Sequence, residues 1–93
     1  MVQVLYFADL KSITEKEKEH IILNEKKNLM HLTQQLIVKY PSLEKILLDS
    51  DNGKIKKSIS ISLNHSIIDR QKIETYRLNK DDKVAFLLPV SGG

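Results

Sequence analysis

Residues 83–88, Lys83-Val84-Ala85-Phe86-Leu87-Leu88, form the most apolar run near the end of the 93-residue chain, and residues 2–8, Val2-Gln3-Val4-Leu5-Tyr6-Phe7-Ala8, form its counterpart at the start. Both runs are rich in β-branched and aromatic residues and carry little polar alternation, which predicts strands buried on both faces. Two such strands are best accommodated side by side at the centre of a sheet. Lying parallel, they need a long crossover, and the chain between them supplies it.

That intervening chain reads in order. Residues 9–16 are polar and turn-like, and residues 17–23 end in His20-Ile21-Ile22-Leu23, which predicts a second strand pairing antiparallel with the first. Asn24 offers an N-cap, and from Glu25 onward Leu29, Leu32, Leu36 and Tyr40 recur at spacings of three and four, the stripe of an amphipathic helix. Pro41 ends this helix, because proline disfavours helical geometry in the residue before it. A brief second helical turn can follow through Leu48. Asp49-Ser50-Asp51-Asn52-Gly53 is the strongest turn signal, and the alternation Ser58-Ile59-Ser60-Ile61-Ser62-Leu63-Asn64 predicts a half-buried strand. Residues 65–80 accommodate a short strand or an irregular crossing. Asp81-Asp82 then turns the chain into the last strand, which Pro89 ends for want of an N–H. The expected architecture is α+β, a mixed sheet with one main helix on one face. This order suits a β-grasp roll, with residues 1–88 as the folded domain and residues 89–93 as a flexible C-terminal tail.

Composition narrows the function classes. Apolar residues make up 41% and charged residues 29%, a globular balance in a chain long enough for one core. No stretch approaches the roughly eighteen consecutive apolar residues of a membrane span, and the N-terminus lacks a signal-peptide pattern, so the chain reads as cytoplasmic. The absence of cysteine excludes disulfides, thiolate ligands and a cysteine persulfide. The net charge of +3 comes from lysines interleaved with acids, and Glu15-Lys16-Glu17-Lys18-Glu19 reads as a solvated face. Aromatic residues are not interleaved with the cluster Lys54, Lys56 and Lys57, which argues against a nucleic-acid surface. His20, His31 and His65 are too far apart, with no carboxylate at ligand spacing, to suggest a metal site. No serine has an elbow motif, and no phosphate loop is present, so any ATP chemistry belongs to a partner. The helix row Met30, Thr33 and Ile37 could face a partner, whereas core packing accounts for Leu29, Leu32 and Leu36.

The glycines are spent unevenly. Gly53 sits in the turn, and the other two are the final residues of Pro89-Val90-Ser91-Gly92-Gly93. A terminal Gly-Gly has no side chains, so it can thread a narrow channel and bring its α-carboxylate to a reacting centre. Attack of that carboxylate on the α-phosphate of ATP would give an acyl-adenylate, from which a sulfur donor could displace AMP to leave a thiocarboxylate. The same ending serves ubiquitin-like modifiers, in which a lysine amine attacks instead, and a frayed inert terminus also fits Gly-Gly alone.

The two ends together resemble the molybdopterin synthase small subunit family. Its members typically begin V-x-V-L-F-F-A, matched by residues 2–8, and end near L-x-x-G-D-x-V-A-F-F-P-P-V-S-G-G, matched by residues 78–93. Asp82, Val84, Ala85, Phe86, Pro89, Val90, Ser91, Gly92 and Gly93 fall at the expected places, and Asn64 resembles an asparagine often found after the third strand. The resemblance implies a β-grasp (ubiquitin-like) fold. It further implies adenylation and thiocarboxylation of Gly93 by an ATP-using activating enzyme, with no cofactor bound by this chain. The tail, Pro89 to Gly92, would then enter a large subunit within a heterotetramer and convert cyclic pyranopterin monophosphate to the molybdopterin dithiolene. Phe7, Ile67 and Leu87 match the apolar patch the family presents to both partners, although simple core packing accounts equally well for Phe7. Departures are Asp81 for a turn glycine, Lys83 for an acid, Leu87 for an aromatic, Leu88 for a proline, and a longer segment 65–80. A sulfur carrier of another pathway, such as thiamine biosynthesis, is the alternative in the same class.

Overall fold

The computed structural model describes residues 1–23 and 27–89. Strands β1 (Val2–Leu5), β2 (Lys18–Ile21), β3 (Ser60–Leu63), β4 (Ser66–Ile67) and β5 (Lys83–Leu87) form one sheet in the order β2-β1-β5-β3-β4. The first and last strands are adjacent and parallel, with Val4 opposite Val84, and the other pairings are antiparallel. This is the expected mixed sheet of a β-grasp fold.

Neither central strand is buried equally on both faces. In β1, Val2 and Val4 are in the core, as is Tyr6 just beyond, while Gln3 and Leu5 are half-buried on the other side. Strand β1 is also shorter than residues 2–8, because Phe7 begins a helix. Helix α1 (Ala8–Thr14) occupies much of the segment read as polar turn. It is held by fully buried Leu10 and by Thr14, whose hydroxyl donates to the Leu10 carbonyl at 2.8 Å. It stops where Glu15 turns into the left-handed region, φ 59°.

Helix α2 (Leu29–Lys39) begins four residues later than the sequence pattern suggests, capped by Asn28, whose side-chain oxygen accepts the His31 N–H at 2.7 Å. The expected cap at Asn24 lies outside the described residues. Leu29, Leu32, Leu36 and Thr33 are buried, Thr33 returning its hydroxyl to the Leu29 carbonyl. Met30 and Ile37 also pack partly against the core, so most of the second row is core too. After Pro41 comes α3 (Leu43–Leu47), which sinks Leu43 and Leu47 into the same core.

The expected reversal at residues 49–53 is present. Gly53, at φ 70°, donates its N–H to the Asp49 carbonyl, and Leu48 bridges antiparallel to Ile55. Segment 65–80 holds β4 and a short 3₁₀ turn, Arg70–Lys72. Arg70 donates to the Ile55 and Ile59 carbonyls at 2.8 and 3.0 Å, pinning the chain that enters β3. No helix among the described residues is long and apolar enough to cross a membrane.

Asp81, where the family resemblance calls for glycine, has φ 69°. A side chain there is strained by about 1 kcal/mol, less glycine's greater chain entropy when unfolded. Asp81→Gly should therefore stabilise the domain by a few tenths to about 1 kcal/mol. A denaturation midpoint that falls in the variant would show that the Asp81 side chain supports the turn.

Candidate functional site: the open sheet face and the root of the tail

The helices cover one face of the sheet, and register decides what points from the other. Leu5 stands opposite Lys18 on one side and Ala85 on the other, Ala85 stands opposite Ser62, and Ser62 stands opposite Ile67. Paired residues share a face, so this row crosses the whole sheet on its open side. Two residues beyond Leu5 and Ala85 come Phe7 and Leu87. Because β1 and β5 are parallel, both lie at the same end of the sheet.

Phe7 is 50% exposed and Ile67 62% exposed, whereas Leu87 is half-buried between its neighbours. Core packing therefore does not account for Phe7. The structure brings Phe7, Ile67 and Leu87 onto one face; Leu5 and the small, covered Ala85 join Phe7 and Leu87 into an apolar surface, and Ser62 stands between Ala85 and Ile67. Beside Phe7 lies an open cavity of about 510 Å³, bounded also by Leu5, Tyr6, Ala8, Lys11, Glu17 and Lys18. Large apolar side chains left exposed together mark a surface built to be covered.

The tail is rooted at this same end. Strand β5 ends at Leu87, Leu88 packs partly on the core, and Pro89 is exposed. Val90, Ser91, Gly92 and Gly93 lie outside the described residues.

Two polar networks hold the strands that carry this face. The β3–β4 turn is made by Asn64 and His65, both at positive φ. Asn64 donates from its amide to Asp82 Oδ1 at 3.0 Å and accepts the Lys83 N–H at 2.9 Å, while Asp82 Oδ2 accepts the Asn79 N–H at 2.7 Å. With Gln3 donating its N–H to the Asp82 carbonyl, this clasp sets where β5 enters the sheet and hence where Leu87 and Pro89 emerge.

The second network centres on Glu19, only 8% exposed. Residues 15–18 are exposed as the reading of a solvated face expects, and Glu19 alone turns inward, because it alternates with Lys18 and His20 across strand β2. Its carboxylate accepts the Tyr6 and Tyr40 hydroxyls, each at 2.9 Å, and pairs with Lys39 and, at 3.3 Å, with Lys16. Burial alone would raise its pKa. The hydrogen bonds from Lys39, Tyr6, Tyr40 and Lys16 outweigh burial and hold it down at about 2. Burial and the Glu19 carboxylate together push the Tyr6 phenol up. The rings of Tyr6 and Tyr40 meet edge to face, 6.4 Å between centroids. The cluster ties the end of α2 to β2 and to the chain leaving β1. Alternating charges gave no sign of it in the sequence; the spacing of Glu19 and Ile21, two apart on a strand, was the available signal.

His20 and His65 are exposed and His31 half-buried, and no group of three or more potential metal ligands is found among the described residues. The outward-pointing strand residues offer a docking surface and, beyond hydroxyls, no acid–base pair.

Solved structures with this architecture cover nearly the whole chain. Small archaeal modifier protein 1 of Methanosarcina acetivorans is 28% identical with a TM-score of 0.79, covering 99% of this chain and 95% of that one. Its counterpart from Haloferax volcanii is 21% identical with a TM-score of 0.83, covering 99% and 98%. A putative molybdopterin converting factor subunit 1 from Pyrococcus furiosus is 21% identical with a TM-score of 0.72, covering 96% and 97%. Residues 4–93 match the ThiS family, and the chain belongs to that family of ubiquitin-like sulfur carriers, which act with partner enzymes.

Proposed function

We propose that the chain is the sulfur-carrying small subunit of molybdopterin synthase, with Gly93 as the atom-bearing residue and Phe7, Ile67 and Leu87 as the docking surface. The observation that carries this reading is the shared position of Phe7, Leu87 and the root of the tail at one end of the open face. A partner covering that face receives whatever leaves β5.

On this reading an adenylating enzyme binds ATP, and the Gly93 carboxylate attacks its α-phosphate, releasing pyrophosphate. A sulfur donor then displaces AMP from the acyl-adenylate and leaves the thiocarboxylate. Pro89 starts the tail away from the sheet, and Val90, Ser91 and Gly92 extend its reach into the large subunit, within a heterotetramer. There the sulfur attacks the side chain of cyclic pyranopterin monophosphate, water cleaves the resulting acyl–sulfur bond and returns Gly93 to a carboxylate, and two such transfers furnish the two sulfurs of the dithiolene. This chain supplies the tether and the sulfur, and the partners supply the nucleotide and pterin sites.

A second reading, a ubiquitin-like modifier, is favoured by the 28% identity to a protein named as a modifier. In it a lysine amine attacks the activated Gly93 carbonyl. The deciding experiment incubates the thiocarboxylated chain with the molybdopterin synthase large subunit of the same organism and cyclic pyranopterin monophosphate. Dithiolene formation with return of the carboxylate is expected. Isopeptide-linked adducts in place of pterin product would establish the modifier instead.

A further inference from the structure

The outward-pointing positions of the five strands carry no carboxylate at all, in a chain with 12 acidic residues. Their charges are Lys18 and Lys83, both exposed, with exposed His20 beside them. Lys18 stands beside Leu5 in the row that runs through Ala85 to Ile67. His20 and Lys83 flank Gln3 in the row behind it. Among the described residues neither lysine takes part in an ion pair. Of the acids adjoining them in the chain, Glu17 is bridged to Lys11 at 3.2 Å, and Glu19 and Asp82 are buried on the other side of the sheet with their carboxylates engaged. Tyr6, Tyr40, Lys16 and Lys39 engage Glu19, and Asn64 and Asn79 engage Asp82; Asp81 is exposed in the turn before β5.

Charges of one sign thus lie along the apolar patch, Lys18 beside Leu5 and Phe7 and Lys83 beside Gln3 at the start of β5. Exposed lysines outside any ion pair project a field over roughly 8–10 Å at moderate salt, and such a field orients an approaching partner before contact. We infer that the open face docks on a protein surface whose apolar centre is flanked by carboxylates facing Lys18 and Lys83. These two lysines set the rate and orientation of docking, and Phe7 and Leu87 set its lifetime. The partner's carboxylates lie opposite the start of β2 and the start of β5, one toward each end of the patch, and this spacing fixes the direction in which the face is met. This inference rests on the carrier reading only for the identity of the partner.

The test measures association kinetics between the full chain and the adenylating enzyme of the same organism at 50 and 500 mM salt. The double variant Lys18→Glu/Lys83→Glu is compared with Lys45→Glu/Lys72→Glu, which makes the same change in net charge on α3 and the 3₁₀ turn, away from the strands. All four positions are exposed, so the fold should tolerate both changes. The first variant should associate roughly 10-fold more slowly at 50 mM and approach wild type at 500 mM, while the control changes by no more than about twofold. Equal effects of the two variants, or none from either, would overturn the inference even if the enzyme still thiocarboxylates the chain at saturating concentration. Failure of wild type to bind the enzyme at all would instead overturn the carrier reading and this inference with it.

Discussion

Replacing Phe7 by aspartate is expected to weaken association with the adenylating partner by roughly 100-fold, the scale of losing one aromatic anchor at the centre of an interface, while leaving the domain at least as stable. The second half of that expectation is what makes the variant informative. Phe7 is half exposed, so its removal leaves no core cavity. It also occupies the N-cap position of α1 in an extended conformation, with no side-chain hydrogen bond to the helix. Aspartate is among the best residues at that position, worth up to about 1 kcal/mol over an uncapped start. Surface plasmon resonance and a thermal melt on the same sample separate the two effects. A lowered melting temperature with unchanged binding would return Phe7 to the core and remove it from the docking surface.

The second large effect concerns Glu19. A buried carboxylate held from its ordinary 4.5 down to about 2 contributes on the order of 3 kcal/mol to folding. The folded value lies below the unfolded one, so this stability is complete above about pH 5 and is lost as pH falls toward 2. Glu19→Gln should accordingly be destabilised by up to about 3 kcal/mol at pH 7, a loss of roughly 10–20 °C in Tm for a domain of this size. Its stability should change far less than wild type between pH 5 and 2. Part of the loss comes from Tyr6, whose buried hydroxyl would face an amide in place of a carboxylate. Urea denaturation at pH 7, 4 and 2.5 checks both statements. Parallel pH curves for the two proteins would show that Glu19 is not the group that couples acid to unfolding.

How far these features could be read in advance depended on how much each element relies on its own residues. The strands β1, β3 and β5, the stripe Leu29, Leu32 and Leu36, and the turn ending at Gly53 follow from local patterns of apolar spacing and turn chemistry. Parallel pairing of β1 and β5 followed from their shared apolar character. Helix α1 was illegible because seven residues with a single fully buried leucine make too short a period to distinguish from a polar loop. The start of α2 was misplaced because Asn24 and Asn28 are both plausible caps, and only the latter is followed at once by a fully buried leucine.

The same contrast holds at the site. Phe7, Ile67 and Leu87 were named by resemblance, but only the register of β1, β5, β3 and β4 puts them on one face. Glu19 was hidden because its partners Tyr6, Lys39 and Tyr40 are 13 to 21 residues away in sequence. The absence of acids at the outward-pointing strand positions could likewise be seen only after the strands were placed. Periodicity announces which residues are inside; pairing decides which of the outside residues act together.

On the proposed function the folded domain is a platform whose chemistry resides at Gly93, and intact mass spectrometry tests this most directly. The chain is incubated with the adenylating enzyme of the same organism, ATP and a sulfide source, beside a variant lacking Gly93. Wild type should gain about 16 Da, the exchange of a terminal carboxylate oxygen for sulfur by acyl substitution, and the variant should gain nothing. No gain in wild type with an enzyme shown to be active, or an equal gain in the variant, would contradict the account.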